Sequence, residues 1–349
     1  MNRNINSLQE LDCRCYDESL HVKLIGDTIR EQYTTWFCCG FGVFDSETVV
    51  AGSSTGEIRV YSSDDLVRKK AQGNAKPKSL LSLKAHHDGA CYGLQLADVS
   101  GTGLLFSCGD DGTVRVWSWE SLVRAIGEGG SSEVAPVFEA RAPLSYGVPL
   151  DLNSISVDGG SNRVYAGAGD GRCYSWDLGS GAECPALGVD GAGGVLCTAL
   201  RGDSLACGHT DGAVRLWDAR CGTVRHEMAL AHAPVNCVEF DSGGHWLAAG
   251  CGPELHLWSS CAASSAESIG TESCPQALLL EPNRILVGGD DIHIRRFDFS
   301  GRMLSKVATS CACAYGLARS PATGVLAMCG VANRLEILAD NGSRLGGLS

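Results

Sequence analysis

Three groups of residues in this chain have types and spacings that could support chemistry. The first is a set of 18 cysteines, which as thiolates are nucleophiles or metal ligands. Cys13/Cys15 and Cys311/Cys313 are each separated by one residue, Cys-x-x-Cys spacing is absent, and no histidine cluster stands near them at zinc-site spacing. Most of the others, among them Cys108, Cys197, Cys207, Cys237, Cys251 and Cys329, lie in strand-like apolar runs. They read as small buried hydrophobes of a reducing compartment, and no metal site is expected. The second group is carboxylate, concentrated at Asp-Gly steps, where Asp is favoured because it hydrogen-bonds its own backbone. The third is cationic. In Trp217-Asp218-Ala219-Arg220 the guanidinium offers a planar, bidentate contact to a carboxylate or carbonyl. The stretch Arg68–Lys78 (RKKAQGNAKPK) is basic and reads as a loop. It suits nuclear import or an RNA contact, or more plainly a solvated insertion between strands.

No set of these residues converges on catalysis. The sequence reads as carrying no Gly-x-Ser-x-Gly nucleophile elbow, P-loop or paired His-Glu motif. Gly167-Ala168-Gly169-Asp170-Gly171 has the look of a dinucleotide loop, but no helix follows it, so it reads as a hairpin. No catalytic, cofactor-binding or metal residue is assigned, and the chain is expected not to be an enzyme. A net charge of −12 argues against direct, nonspecific RNA or DNA binding, and no direct sequence-specific nucleic-acid binding is expected. The polar N-terminal stretch and the lack of an apolar run near membrane-spanning length predict a cytosolic or nuclear protein without a membrane partner.

What positions these residues is a repeat. An apolar run, a Gly-rich step, Asp-Gly and an alternating segment ending in Trp recur as LLFSCGDDGTVRVWSW (104–119), RVYAGAGDGRCYSWD (163–177) and LACGHTDGAVRLWDAR (205–220). Weaker copies occupy 49–62, 247–259, 285–298 and 325–338. The closing position falls at Tyr61, Trp117, Trp176, Trp217, Trp258, Phe297 and Ile337. The last five are spaced by about 40 residues, the period of a propeller blade. Polar insertions at 62–78 and 127–145 lengthen the first two steps. Period-2 alternation makes each copy a pair of strands. In TVRVWSW, Val114, Val116 and Ser118 face one way while Thr113, Arg115 and Trp117 face the other. The Asp-Gly steps read as tight primed hairpins. One further run precedes each later copy: CYGLQLA, LNSISV, VLCTAL, VNCVEF, QALLLE and YGLARS. With a variable outer strand this gives an all-β, seven-bladed β-propeller of the WD40 type over residues 35–349, after a short N-terminal extension, residues 1–34. Within that extension, residues 27–36 suit a short helix and residues 20–25 a strand, and either suits sealing the ring beside the last blade.

In well-formed WD40 blades a His, a Ser or Thr, the turn Asp and the Trp make a hydrogen-bonded chain. Blade 2 can supply His86 (or His87), Ser107, Asp111 and Trp117. Blades 3 and 4 keep Asp170/Trp176 and Asp211/Trp217 without a clear His, and blade 5 has His232 and Trp258 but Gly252 in place of Asp. These are structural roles. Arg295 and Arg296, adjacent on a strand, should face opposite ways, one as a partner contact and one paired with an acidic neighbour.

The segments at 104–119, 245–259 (HWLAAGCGPELHLWS) and 285–305 (ILVGGDDIHIRRFDFSGRMLS), with the ending NRLEILADNGSRLGGLS, resemble the THO complex subunit 6 family of WD40 proteins, most closely its plant-type members, from about residue 26 onward. The resemblance implies a nuclear scaffold that joins other THO subunits and couples transcription to mRNA processing and export, with no catalytic residues to transfer. It also implies a second role, a substrate receptor that docks the propeller adaptor of cullin-4 ubiquitin ligases. Residues 205–220 match the box ending in Trp-Asp-x-Arg, with Trp217, Asp218 and Arg220 as the contact residues. The same ending is also a common way to close a blade.

Overall fold

The computed structural model describes Val22, Ile25 and residues 33–42, 47–72, 77–87, 89–130, 134–259 and 267–348. The described strands form seven four-stranded antiparallel sheets, each built from four strands consecutive in sequence. Blade 2 shows the plan: Cys91–Val99 lies innermost, followed outward by Thr102–Gly109, Thr113–Ser118 and Phe138–Arg141. The first strands of all seven blades, from Trp36–Phe41 to Ala314–Arg319, contact their neighbours in a closed ring around a central channel. This is the seven-bladed β-propeller expected from the repeat, and blade-to-blade packing buries both faces of the middle strands while outer strands such as Thr223–Ala229 stay largely exposed. In blade 2, Val114 and Val116 join the core shared with blade 3, while Trp117 joins the core shared with blade 1. Antiparallel order puts the second-to-third-strand hairpins and the blade connections at one end of the ring, here the upper end. The other turns lie at the lower end.

The hairpins differ from the primed turns expected. Gly112, Gly171 and Gly212 have φ of 69°, 86° and 80°, whereas none of the Asp residues before them has positive φ. The Gly112 N–H closes the turn on the Gly109 carbonyl at 3.2 Å. That is a three-residue loop with glycine in the left-handed position. Each turn Asp accepts the N–H two residues on: Thr113 on Asp111, Arg172 on Asp170, Ala213 on Asp211 and His293 on Asp291.

The cysteine content has a packing cause. At one layer of each blade, the first and second strands pair a small residue with glycine: Cys38 with Gly52, Gly93 with Cys108, Cys197 with Gly208, Cys237 with Gly250, and Gly316 with Cys329. A Cβ added to Gly52 would stand 2.7 Å from the Cys38 sulfur and 2.8 Å from that of Cys91. The thiol fills the space the glycine leaves, which a larger side chain would overpack. It then donates across the blade boundary. Cys108 Sγ reaches the Leu152 carbonyl at 3.4 Å and Cys197 Sγ that of Val235 at 3.3 Å.

Among the described residues, ring closure uses no exchanged strand. Blade 7 consists of Ala314–Arg319, Leu326–Gly330, Arg334–Leu338 and Arg344–Leu348. Trp36, placed by the sequence at the end of a possible helix, instead opens the first strand of blade 1 and is fully buried against blade 7. Val22, Ile25 and Tyr33 are helical, so the strand expected at 20–25 does not form at its described positions. The rest of residues 1–32 lies outside the described residues. The first insertion is not a plain loop either. Ser63–Gln72 is a helix, α1, capped by Ser62, whose hydroxyl accepts the Asp65 N–H. Its buried Leu66 lies over the outer strand of blade 7, close enough that Gly346 has no room for a Cβ beside the Leu66 carbonyl. The second insertion begins with helix α2, Trp119–Gly127. Trp119, Leu122 and Ala125 share one apolar face, and α2 covers the outer strand of blade 1 in the same way. Each helix shields an edge that would otherwise expose unpaired backbone groups.

Candidate functional site

The upper rim is a series of charged networks anchored on the turn Asp. In blade 2, His86 lies between Ser107 (Nε2···Oγ 2.9 Å) and Asp111 (Nδ1···Oδ1 2.8 Å). Thr113 Oγ1 donates to Asp111 at 2.6 Å and Arg115 Nη1 at 2.8 Å. Burial would raise the Asp111 pKa, but these bonds from His86, Thr113 and Arg115 outweigh it and hold the carboxylate well below its ordinary range. Trp117 stands outside this chain, a correction to the four-residue expectation. It faces blade 1, and its indole N–H goes to the Val134 carbonyl at 3.2 Å.

Position four after the turn Asp carries an unexpected partner. It is Arg in blades 2, 4 and 6, giving Arg115–Asp111, Arg215–Asp211 and Arg295–Asp291 pairs of 2.8, 2.9 and 2.7 Å. In blade 3 it is Tyr174, whose hydroxyl donates to Asp170 at 2.8 Å. Trp176 is buried and packs near Tyr174. The recurring Asp-x-x-x-Arg spacing was visible in the sequence and was the signal for these pairs. His209 bonds the Gly193 carbonyl rather than a turn Asp, and His232 is exposed.

At the lower rim, Trp217-Asp218-Ala219-Arg220 separates into parts. Trp217 is buried in the core between blades 3 and 4, and Asp218 is buried beneath the turn. Neither is available as a direct contact, because the strand pleat sends Trp217 inward. The Arg225 guanidinium holds Asp218 well below the usual carboxylate range, and its Oδ1 accepts the Arg220 N–H at 3.0 Å. Only the Arg220 side chain is open, at 68% exposure, loosely held by Asp203 at 3.3 Å and Asp218 at 3.5 Å.

Arg295 and Arg296 do point to opposite sides, but both are buried, so neither is a surface contact. Arg295 pairs with Asp291 and Glu272. Arg296 lies between blades 6 and 7, its pKa lowered by burial and by Arg284 and Arg319 nearby. Of the basic stretch, residues 68–72 fall in α1 and residues 73–76 lie outside the described residues.

One five-residue segment, Gly52-Ser53-Ser54-Thr55-Gly56, does have nucleophile-elbow spacing, contrary to the sequence expectation. An elbow needs a strand, a turn and a helix. Here the segment joins two strands, the Ser54 hydroxyl accepts the Thr35 N–H at 3.1 Å, and among the described residues it has no hydrogen bond to a His, Asp or Glu side chain. No group of three or more His, Cys, Asp or Glu among the described residues could hold a metal ion, and no described helix is long and apolar enough to cross a membrane.

The channel wall carries a feature the sequence did not reveal. Every first strand has a register shift at its second position, which leaves Phe37, Tyr92, Asn153, Leu196, Asn236, Gln276 and Tyr315 unpaired with the second strand. Such bulges re-aim side chains. All but Phe37 line a cavity of about 230 Å³ in the channel, with Glu239 deeper in its wall.

The family model for the WD domain, G-beta repeat, matches residues 77–118 and 223–259. Each match begins at the outer strand of one blade and ends at the third strand of the next. Over most of its length the chain is similar to THO complex subunit 6 of Arabidopsis thaliana, 27% identical across 87% of this chain and 88% of the relative. THO complex subunit 6 of Homo sapiens is also 27% identical, across 86% of this chain and 89% of the relative. Among solved structures, the computationally designed Ika8 protein superposes with a TM-score of 0.60 at 18% identity, covering 86% of this chain and 82% of that one. That likeness bears on the fold alone.

Proposed function

We propose that this chain, a seven-bladed WD40 propeller and a homologue of THO complex subunit 6, is a non-catalytic nuclear scaffold of a THO/TREX-type complex that couples transcription to mRNA processing and export. The observation that carries this is likeness across nearly the full length of both plant and animal subunits. The fold agrees with it. The turn aspartates Asp111, Asp211 and Asp291 are tied into pairs with arginines rather than converging on a reaction centre, and a net charge of −12 leaves RNA binding to other subunits. A tagged copy should co-purify the other THO subunits from nuclear extract, and recovery of none would overturn the proposal.

A second role rests on Arg220, the open side chain of Trp217-Asp218-Ala219-Arg220. Its guanidinium is weakly held by two carboxylates on the lower rim and can exchange them for a carboxylate or carbonyl of the cullin-4 adaptor. Arg220→Ala removes exposed ion pairs of little energetic weight, so the variant should melt like the parent. Adaptor binding, followed by pull-down, should be lost. Retained binding with native melting would eliminate this box as the docking site.

A further inference from the structure

The channel mouth combines rings, carboxylates and a cavity in a way no part of the scaffold requires. Three neighbouring bulges, in blades 7, 1 and 2, present Tyr315, Phe37 and Tyr92. The Phe37 ring centroid is 5.0 Å from that of Tyr92 and 5.4 Å from that of Tyr315, with interplanar angles of 60° and 52°. All three are only partly buried. The remaining bulges, in blades 3 to 6, supply Asn153, Leu196, Asn236 and Gln276, so one side of the mouth is aromatic and the other mostly amide.

Carboxylates flank the rings. Asp110 stands beside the Tyr92 hydroxyl, Asp151 close to Asp110, and Asp290 near Tyr315. Asp110 and Asp290 each accept one backbone N–H, from Ala90 and Cys274, at 2.9 Å. None of the three carboxylates is in an ion pair among the described residues, whereas Asp111, Asp211 and Asp291 on the same rim each have an arginine. The chain thus neutralises its structural aspartates and leaves those at the mouth open. Burial raises both phenols to about 12, with Asp110 adding to the effect at Tyr92 and Cys313 at Tyr315, so the rings stay neutral. Deeper in the channel, burial raises Glu239 to about 7, and its carboxyl has no hydrogen-bond or ion-pair partner among the described residues.

An aromatic face attracts a cation through its quadrupole, and nearby carboxylates add to that attraction. The cavity, about 230 Å³, is below the range for a cofactor-sized ligand and suits one long side chain. We infer that the upper mouth of the channel receives a lysine or arginine side chain from an extended basic segment of a partner protein. The side chain lies against Tyr92, Phe37 and Tyr315, with its charge facing Asp110, Asp151 and Asp290. This surface is at the opposite end of the ring from Arg220, so both can be occupied together. The inference does not depend on which complex the propeller joins.

The test is fluorescence anisotropy with a labelled arginine- and lysine-rich peptide of about ten residues, alongside a Gly-Ser peptide of equal length and a labelled single-stranded RNA. The basic peptide alone should bind, more weakly as salt is raised. Tyr92→Leu should weaken it about tenfold, Tyr92→Phe should leave it unchanged, and Asp110→Asn with Asp151→Asn should weaken it tenfold or more. Asp110→Asn keeps an oxygen to accept the Ala90 N–H, so the melting curve of the double Asn variant should match the parent even if Tyr92→Leu disturbs packing. Binding unchanged in the double Asn variant, absent from the parent, or replaced by RNA binding at the same residues would each overturn the inference. Arg220→Ala should leave peptide affinity unaltered.

Discussion

Replacing Asp111 with alanine is expected to lower the unfolding free energy by about 3–5 kcal/mol, measured by urea denaturation near neutral pH. Asp111 is 6% exposed and receives hydrogen bonds from His86, Thr113 and Arg115 and from the backbone of Thr113. Removing the carboxylate leaves a buried guanidinium and a fully buried imidazole without their common acceptor. The sign of the pH dependence follows from the direction of the shift. The folded carboxylate titrates well below its unfolded value of about 3.9, so its stabilisation is fully present above that value and is lost as pH falls through it toward the folded pKa. The gap between the parent and Asp111→Asn should therefore narrow as pH is lowered from about 6 toward 3. A gap that stays constant would show that the carboxylate charge is not what holds this network.

Trp36→Ala should cost a similar amount, about 3–5 kcal/mol, at a place where the loss opens the ring. The side chain is fully buried between blades 1 and 7, edge-on to Tyr61 with centroids 6.3 Å apart. Its indole N–H donates to Asn333 Oδ1 at 2.8 Å, and the Asn333 N–H returns to the Thr34 carbonyl at 2.6 Å. Since both end blades are built from consecutive strands, side-chain packing, these bonds and α1 must hold the seam. Trp36→Phe, which keeps most of the apolar area and loses the hydrogen bond, should cost about 1 kcal/mol. Limited proteolysis should cut the alanine variant first near blades 1 and 7. If the variant unfolds within about 1 kcal/mol of the parent, the seam is held elsewhere.

The blades were legible in the sequence because their determinants are local. A turn Asp with its glycine, a run of alternating residues and a closing aromatic are set by a few neighbours, and they recur often enough to be counted. His86, Ser107 and Asp111 were within reach for the same reason. Trp117 was misplaced because alternation says that it faces away from Val116, not which blade it then meets. Trp217 and Asp218 were read as contacts because the Trp-Asp-x-Arg pattern does not show that the pleat turns the first two inward. The weak copy in blade 1 and the helical insertions hid Trp36 as a strand residue.

The sequence by itself determined the all-β class, the seven blades, their order and the positions of the turns that separate them. These depend on periodicity and on residues that tolerate left-handed or tight backbone, both of which act over a few positions. Only the tertiary structure decided which residues meet. A one-residue bulge reverses the side to which the next side chain points, and closing the ring brings Phe37 against Tyr315 from the far end of the chain. Neither effect leaves a mark on local spacing. The exposure of Arg220, the burial of its box-mates and the open aspartates at the channel mouth are consequences of how the blades pack.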